Sequence, residues 1–240
     1  MPQHDDSLSS SDIKAITSGL LRLSHQLDRA ECPADIAEAL APIVDRHDGA
    51  LRRLTQIFEA VGDICNDFAL QDRYAFELQG ESDDAFDRLR SLLSQVHDLD
   101  AQFRTFAPHV TRTPRGRRPA PDAQEPASSD TPQAPSGMRI RQAADTLAHL
   151  AAYLREHPPL AEVLPLLAPL LNEHRGVPIV LGSILRCTEH LIGQQAALPV
   201  SDETLRAMEA FREAAQEVTD WHVLHWDVQR LRTQSATPRR

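Results

Sequence analysis

The segment Trp221-His222-Val223-Leu224-His225-Trp226-Asp227 carries the densest chemistry in the chain. Residues three apart share a face of a helix, so the imidazoles of His222 and His225 stand at a spacing that can chelate a metal ion. Two ligands do not complete a site. A di-iron bundle needs Glu-x-x-His twice with two further glutamates. The chain contains no Glu-x-x-His and no His-Glu-x-x-His. His222 and His225 are therefore weak metal candidates, and the expected metal and cofactor content is none. The same segment holds the only two tryptophans, Trp221 and Trp226. Aromatic anchors beside polar groups are typical of interface hot spots. Trp221, His222, His225 and Trp226 are thus the expected interaction residues, together with Tyr74 and Phe76 from a second aromatic stretch.

Other reaction chemistries lack their residues. No Gly-x-x-x-x-Gly-Lys-Ser/Thr, Gly-x-Gly-x-x-Gly or Gly-x-Ser-x-Gly occurs among the nine scattered glycines. The acid pairs Asp83-Asp84 and Asp202-Glu203 follow Ser82 and Ser201. They read as helix starts, where the helix dipole alone explains them. His47 and His174 each precede a glycine by two residues and read as cations at a helix end. No catalytic residue is expected, and the chain is not read as an enzyme.

Elements to hold these residues follow from apolar spacing. Ile13, Ile16, Leu20, Leu23 and Leu27 make a heptad seam, with Ser11-Asp12 as its expected cap. Ile36, Leu40, Ile43 and His47 mark a second helix beginning at Pro33. Leu51, Leu54, Phe58, Val61, Cys65 and Phe68 mark a third. A fourth is expected from Ser82, leaving residues 69–82 to extend the third helix or form a loop.

The pattern then repeats. An ungapped offset of 127 superposes Ala41-Pro42 on Ala168-Pro169, His47 on His174, Gly49 on Gly176, Leu54 on Leu181 and Ile57 on Ile184. Upstream it places Ile13, Leu20, Leu23 and Leu27 on Ile140, Leu147, Leu150 and Leu154. A second frame, offset by 122, matches Ala85 with Ala207, Arg90 with Arg212 and Val96 with Val218. Its five-residue difference falls in a loop, where length changes are cheapest. Pro42 and Pro169 predict kinks within the second helix of each copy, and Gly49 and Gly176 predict left-handed caps at its end.

The expected fold is all-α: two tandem, internally repeated antiparallel bundles of about four helices each. Residues 9–107 form the first, residues 138–234 the second, and residues 108–137 a disordered Pro-rich linker carrying Arg112, Arg115, Arg117 and Arg118.

Charge and composition narrow the partners. The formal net charge is −10. All of that excess falls in residues 1–107, which repels phosphate backbones and makes nucleic acid a poor partner. Three cysteines without CxxC spacing point to a reducing compartment. No apolar run is long enough to cross a membrane. A cytoplasmic location is expected. One lysine, Lys14, among 25 basic residues suggests a GC-rich bacterial coding bias. The expected function is non-enzymatic: a helical protein–protein interaction or regulatory protein with two related binding units, possible also as a homo-oligomer. The alternative is a helical bundle that binds a small ligand or metal.

Overall fold

The computed structural model describes residues 8–27, 33–70, 72–106, 137–195 and 200–235. Nine α-helices and no strand occur among them: α1 (Ser10–Leu27), α2 (Pro33–Val44), α3 (Ala50–Asn66), α4 (Arg73–Phe106), α5 (Gly137–Leu154), α6 (Leu160–Leu170), α7 (Val177–Gln195), α8 (Asp202–Asp220) and α9 (Leu224–Ser235). A single 3-10 turn, Trp221–Val223, separates α8 from α9. The all-α expectation holds. The linker expected over residues 108–137 lies outside the described residues except for Gly137, the first residue of α5.

Apolar spacing explains which face of each helix turns inward. Ile13, Ile16, Leu20, Leu23 and Leu27 of α1 are fully buried. So are Leu147, Leu150 and Leu154 of α5, with Ala143 beside them. The side chain of Ile140 falls outside those described. Leu51, Leu54, Phe58, Val61 and Cys65 of α3 and Leu181, Leu185 and Ile192 of α7 complete the same cluster. Phe68, expected on the α3 face, instead lies in the turn after that helix and is exposed.

Helices from the two halves of the sequence pack together. α1 packs on α5, α6 and α7, and more lightly on α2. α5 packs on α3, α1 and α2. α4 lies along α3 and α2, and its other side meets α8 and α9. Arg88 of α4 and Glu217 of α8 form an ion pair at 2.9 Å on that side.

Helix boundaries correct several expectations. The cap of α1 is Ser9, not Ser11. The Ser9 N–H donates to Asp12 Oδ2 at 2.9 Å, and the Asp12 N–H donates back to Ser9 Oγ at 3.3 Å. That reciprocal pair is the capping-box arrangement. The fourth helix begins at Arg73 rather than Ser82. Asp72 caps it by accepting from Tyr74 N at 2.9 Å, and Ser82 is a buried mid-helix residue. Residues 73–82 are therefore helical, and Asp83-Asp84 mark no helix start. Ser201 does cap α8, accepting from Thr204 N at 3.2 Å. The helical stretch that begins at Asp202 is interrupted at Trp221–Val223 before it resumes at Leu224.

Gly49 and Gly176 are not left-handed. No glycine among the described residues has a positive φ, and Gly49 is extended at φ −67° and ψ 153°, preceding α3. Both turns are built alike. Asp45 Oδ1 accepts from His47 N and Asp48 N, each at 2.8 Å, and the Gly49 N–H donates to Asp45 O at 3.1 Å. Asn172 Oδ1 accepts from His174 N at 3.1 Å and Arg175 N at 2.9 Å, and Gly176 N donates to Asn172 O at 2.7 Å. These are Asx turns, and glycine is required because the backbone folds back onto itself. Among the described non-glycine residues, positive φ falls on His157, at 54°, just beyond α5.

Candidate functional site

The α8–α9 break decides where the aromatic and histidine residues point. Trp221, the first residue of the turn, is 4% exposed and packs edge-on to Phe58 of α3, with centroids 5.5 Å apart. It is a core residue. Trp226, five residues on, is 51% exposed. His225 is buried, with its ring edge-on to Trp226 at 5.7 Å. The side chain of His222 lies outside those described, so the His222/His225 pair has no geometry to report. Among the described residues, no three His, Cys, Asp or Glu side chains group as a metal site.

Tyr74 and Trp226 border the same open hollow of about 330 Å³, lined also by Gln229, Arg230, Thr233 and Gln234. The Arg230 guanidinium lies over the Tyr74 ring, 5.6 Å from its centroid, a cation–π contact. Phe76 is 64% exposed and is not part of this lining. Of the six expected interaction residues, Tyr74 and Trp226 share a surface. His225 supports Trp226 from below, and Trp221 is internal.

Behind the hollow stands a charged cluster that sequence reasoning missed. Arg230 bridges to Asp227 Oδ1 at 3.0 Å and approaches Glu77 Oε2 at 3.9 Å. Arg73 closes on Glu77 at 2.7 Å. Asp227 is 4% exposed. Glu81, one turn beyond Glu77, is half-buried, and its Oε2 is sealed from water without a donor. Burial, followed by the negative charge and hydrogen bonding of Asp227 and the charge of Glu77, pushes the Glu81 carboxyl up to about 7, against the opposing pull of Arg230. The signal was present as Glu77/Glu81 at i, i+4 and Asp227/Arg230 at i, i+3. It becomes readable only once residues 73–82 are known to be helical and to face α9.

A second hollow, about 460 Å³, lies farther along the same seam between Arg88, Ser91 and Leu92 of α4 and Glu213 and Glu217 of α8. His47 and His174 are exposed. His174 Nε2 stands 3.2 Å from Glu173 Oε1, and neither histidine approaches the α4–α9 hollow. Comparison of the chain with family models, curated proteins and solved structures finds no match. No helix among the described residues is long and apolar enough to cross a membrane.

Proposed function

We propose that this chain is a non-enzymatic helical interaction or regulatory protein, and that the α4–α9 surface around Trp226 and Tyr74 receives a protein partner. The observation that carries this reading is Trp226 itself, half exposed on the rim of a hollow floored by Tyr74 and Arg230. Exposing a tryptophan to water gives up burial worth about 1.5–3 kcal/mol for a large apolar side chain. The flanking Gln229, Thr233 and Gln234 supply hydrogen-bonding groups around this aromatic centre, the arrangement of an interface rim.

Two related units are part of the same proposal. Two packing contacts between the halves have counterparts with the halves exchanged: α3 on α5 matches α7 on α1, and α2 on α5 matches α6 on α1, while within the halves α2 on α4 matches α6 on α9. With the two Asx turns, this supports an internal duplication. A cytoplasmic, bacterial origin and a possible homo-oligomer belong to the proposal on sequence grounds.

The test is a photoreactive residue at Gln229 in the full chain, expressed in its host, with Trp226→Ala as the control. A discrete protein adduct that disappears with Trp226→Ala is expected. Adducts unchanged by Trp226→Ala would remove this surface as the interface.

A further inference from the structure

We propose that the α4–α9 seam is a proton-operated latch. With Glu81 protonated, its carboxyl O–H donates to the Asp227 carboxylate and holds α9 on α4. With Glu81 ionised, the two carboxylates repel and α9 loosens about the Trp221–Val223 turn. The proton goes to bulk water and no other group is consumed.

Geometry carries this. Asp227 is 4% exposed, and Glu81 Oε2 is enclosed with no N–H or O–H to receive. Glu81 and Asp227 stand within hydrogen-bonding reach of each other, and two carboxyls share a hydrogen bond only when one of them holds a proton. Arg230 does not remove the conflict, because it is engaged by Asp227 and Tyr74 and is itself half exposed. The charged groups around Glu81 are Glu77 on α4, and Asp227 and Arg230 on α9. Farther along α4, Asp63 of α3 acts on Asp83, and Glu217 of α8 is taken by Arg88. Asp35 and Glu38 of α2 have side chains outside those described. The elevated affinity of Glu81 for a proton agrees with this arrangement and sets the working range near neutrality.

The seam is also poorly satisfied elsewhere. Six buried side-chain polar atoms among the described residues have no hydrogen-bond partner, and four of them belong to α4 or the α8–α9 junction: Glu81 Oε2, Ser82 Oγ, Trp221 Nε1 and His225 Nδ1. Such groups mark where a structure opens at least cost. A 3-10 turn between two α-helices is a natural hinge. Beyond the junction, α9 rests mainly on α4 and α6. The latch stands independently of any partner at the Trp226 surface.

The experiment is backbone hydrogen exchange on the full chain from pH 5.5 to 8.5, corrected for intrinsic exchange. The amides of α9 should lose about fivefold in protection as pH rises through 7, less than the tenfold of one fully coupled unit of proton affinity because Glu81 is half exposed. Those of α1 and α7 should not. Glu81→Gln, whose amide donates to Asp227 at every pH, should abolish the change. A change that persists in Glu81→Gln, or wild-type α9 protection that tracks intrinsic exchange alone, overturns the latch. Carboxyl carbon-13 titration of wild-type Glu81 is decisive even if the variant fails to fold. A midpoint near 7 supports the latch, and one near the ordinary 4.5 overturns it.

Discussion

Gly176→Ala tests the turn that the two halves share. A methyl group on Gly176 would stand 2.5 Å from Asn172 O, 2.7 Å from Asn172 N and 2.8 Å from Leu170 O. All three are backbone atoms, so no side chain can swing aside. The turn must open instead. Opening it forfeits the Gly176 N–H bond to Asn172 O and the two bonds accepted by Asn172 Oδ1. At about 1 kcal/mol each, the cost is about 3 kcal/mol. For a chain of this size that corresponds to a fall of about 6–12 °C in Tm.

Gly49→Ala should cost a similar amount. Its methyl would meet Asp45 O, Ile43 O and Asp45 N at 2.5, 2.6 and 2.7 Å, and three equivalent bonds hold its turn. Gly80→Ala is the control. It lies in α4 with nothing within 4 Å of the added carbon, so helix propensity alone should stabilise the protein by about 0.5–1 kcal/mol. Thermal and urea unfolding followed by circular dichroism reads all three. If Gly176→Ala unfolds within 0.5 kcal/mol of the wild type, or if Gly80→Ala costs as much as the other two, the steric argument is wrong.

A protease site inserted between residues 120 and 126 and then cut should leave the two fragments co-eluting in gel filtration, because α1 packs on α5, α6 and α7; separation on cleavage alone would contradict that packing. Cys65 is fully buried, and burial, aided by the charge of Asp83, pushes its thiol up to about 12. It should resist alkylation at pH 8 until the chain unfolds, as mass spectrometry of the labelled peptide would show. Stability should also fall with rising pH through Glu81. The unfolded chain releases this proton near 4.5 and the folded chain near 7, so between those values the folded state holds more protons and unfolding becomes easier as pH rises. The full shift sets a ceiling of about 3 kcal/mol, which the half-exposed position of Glu81 reduces to about 1 kcal/mol. Calorimetry at pH 5 and pH 7.5 should find that difference in the wild type and little of it in Glu81→Gln, while equal pH slopes would refute it.

The helices were legible where burial follows a single stripe. The α1 and α5 seams could be read from spacing alone because every fourth or third residue is fully buried. The start of α4 was not, because Asp72 caps it through a side-chain oxygen while Ser82 and Asp83-Asp84 imitate a cap. Spacing marks Gly49 and Gly176 as helix-end glycines, but neither lies in the left-handed region. Composition cannot distinguish a glycine required for positive φ from one required for close backbone approach. At the site, the sequence marks Tyr74 and Trp226 as aromatic anchors, but the hollow they share forms only where α9 packs on α4. Glu81 was invisible for a different reason. A lone glutamate on a polar stretch reads as solvated until Asp227 arrives from another helix.

The proposed duplication bears on function through the places where its copies differ. In the first half, α4 runs unbroken for 34 residues. The matching stretch of the second half is cut at Trp221–Val223, and the remaining 12 residues form α9. That break brings Trp226, Asp227 and Arg230 to the start of α4, where they meet Tyr74, Glu77 and Glu81. Independent movement of two bundles is a poorer basis for divergent roles, because separating the halves would strip cover from the leucines of α1 and α5. Each of those helices takes much of its packing from the opposite half. Exposing even five such side chains costs about 1.5–3 kcal/mol each, comparable with the whole stability of an ordinary domain. The helices that bind the halves together therefore hold the frame fixed, and the proposed changes on binding and protonation fall to α9, beyond the break.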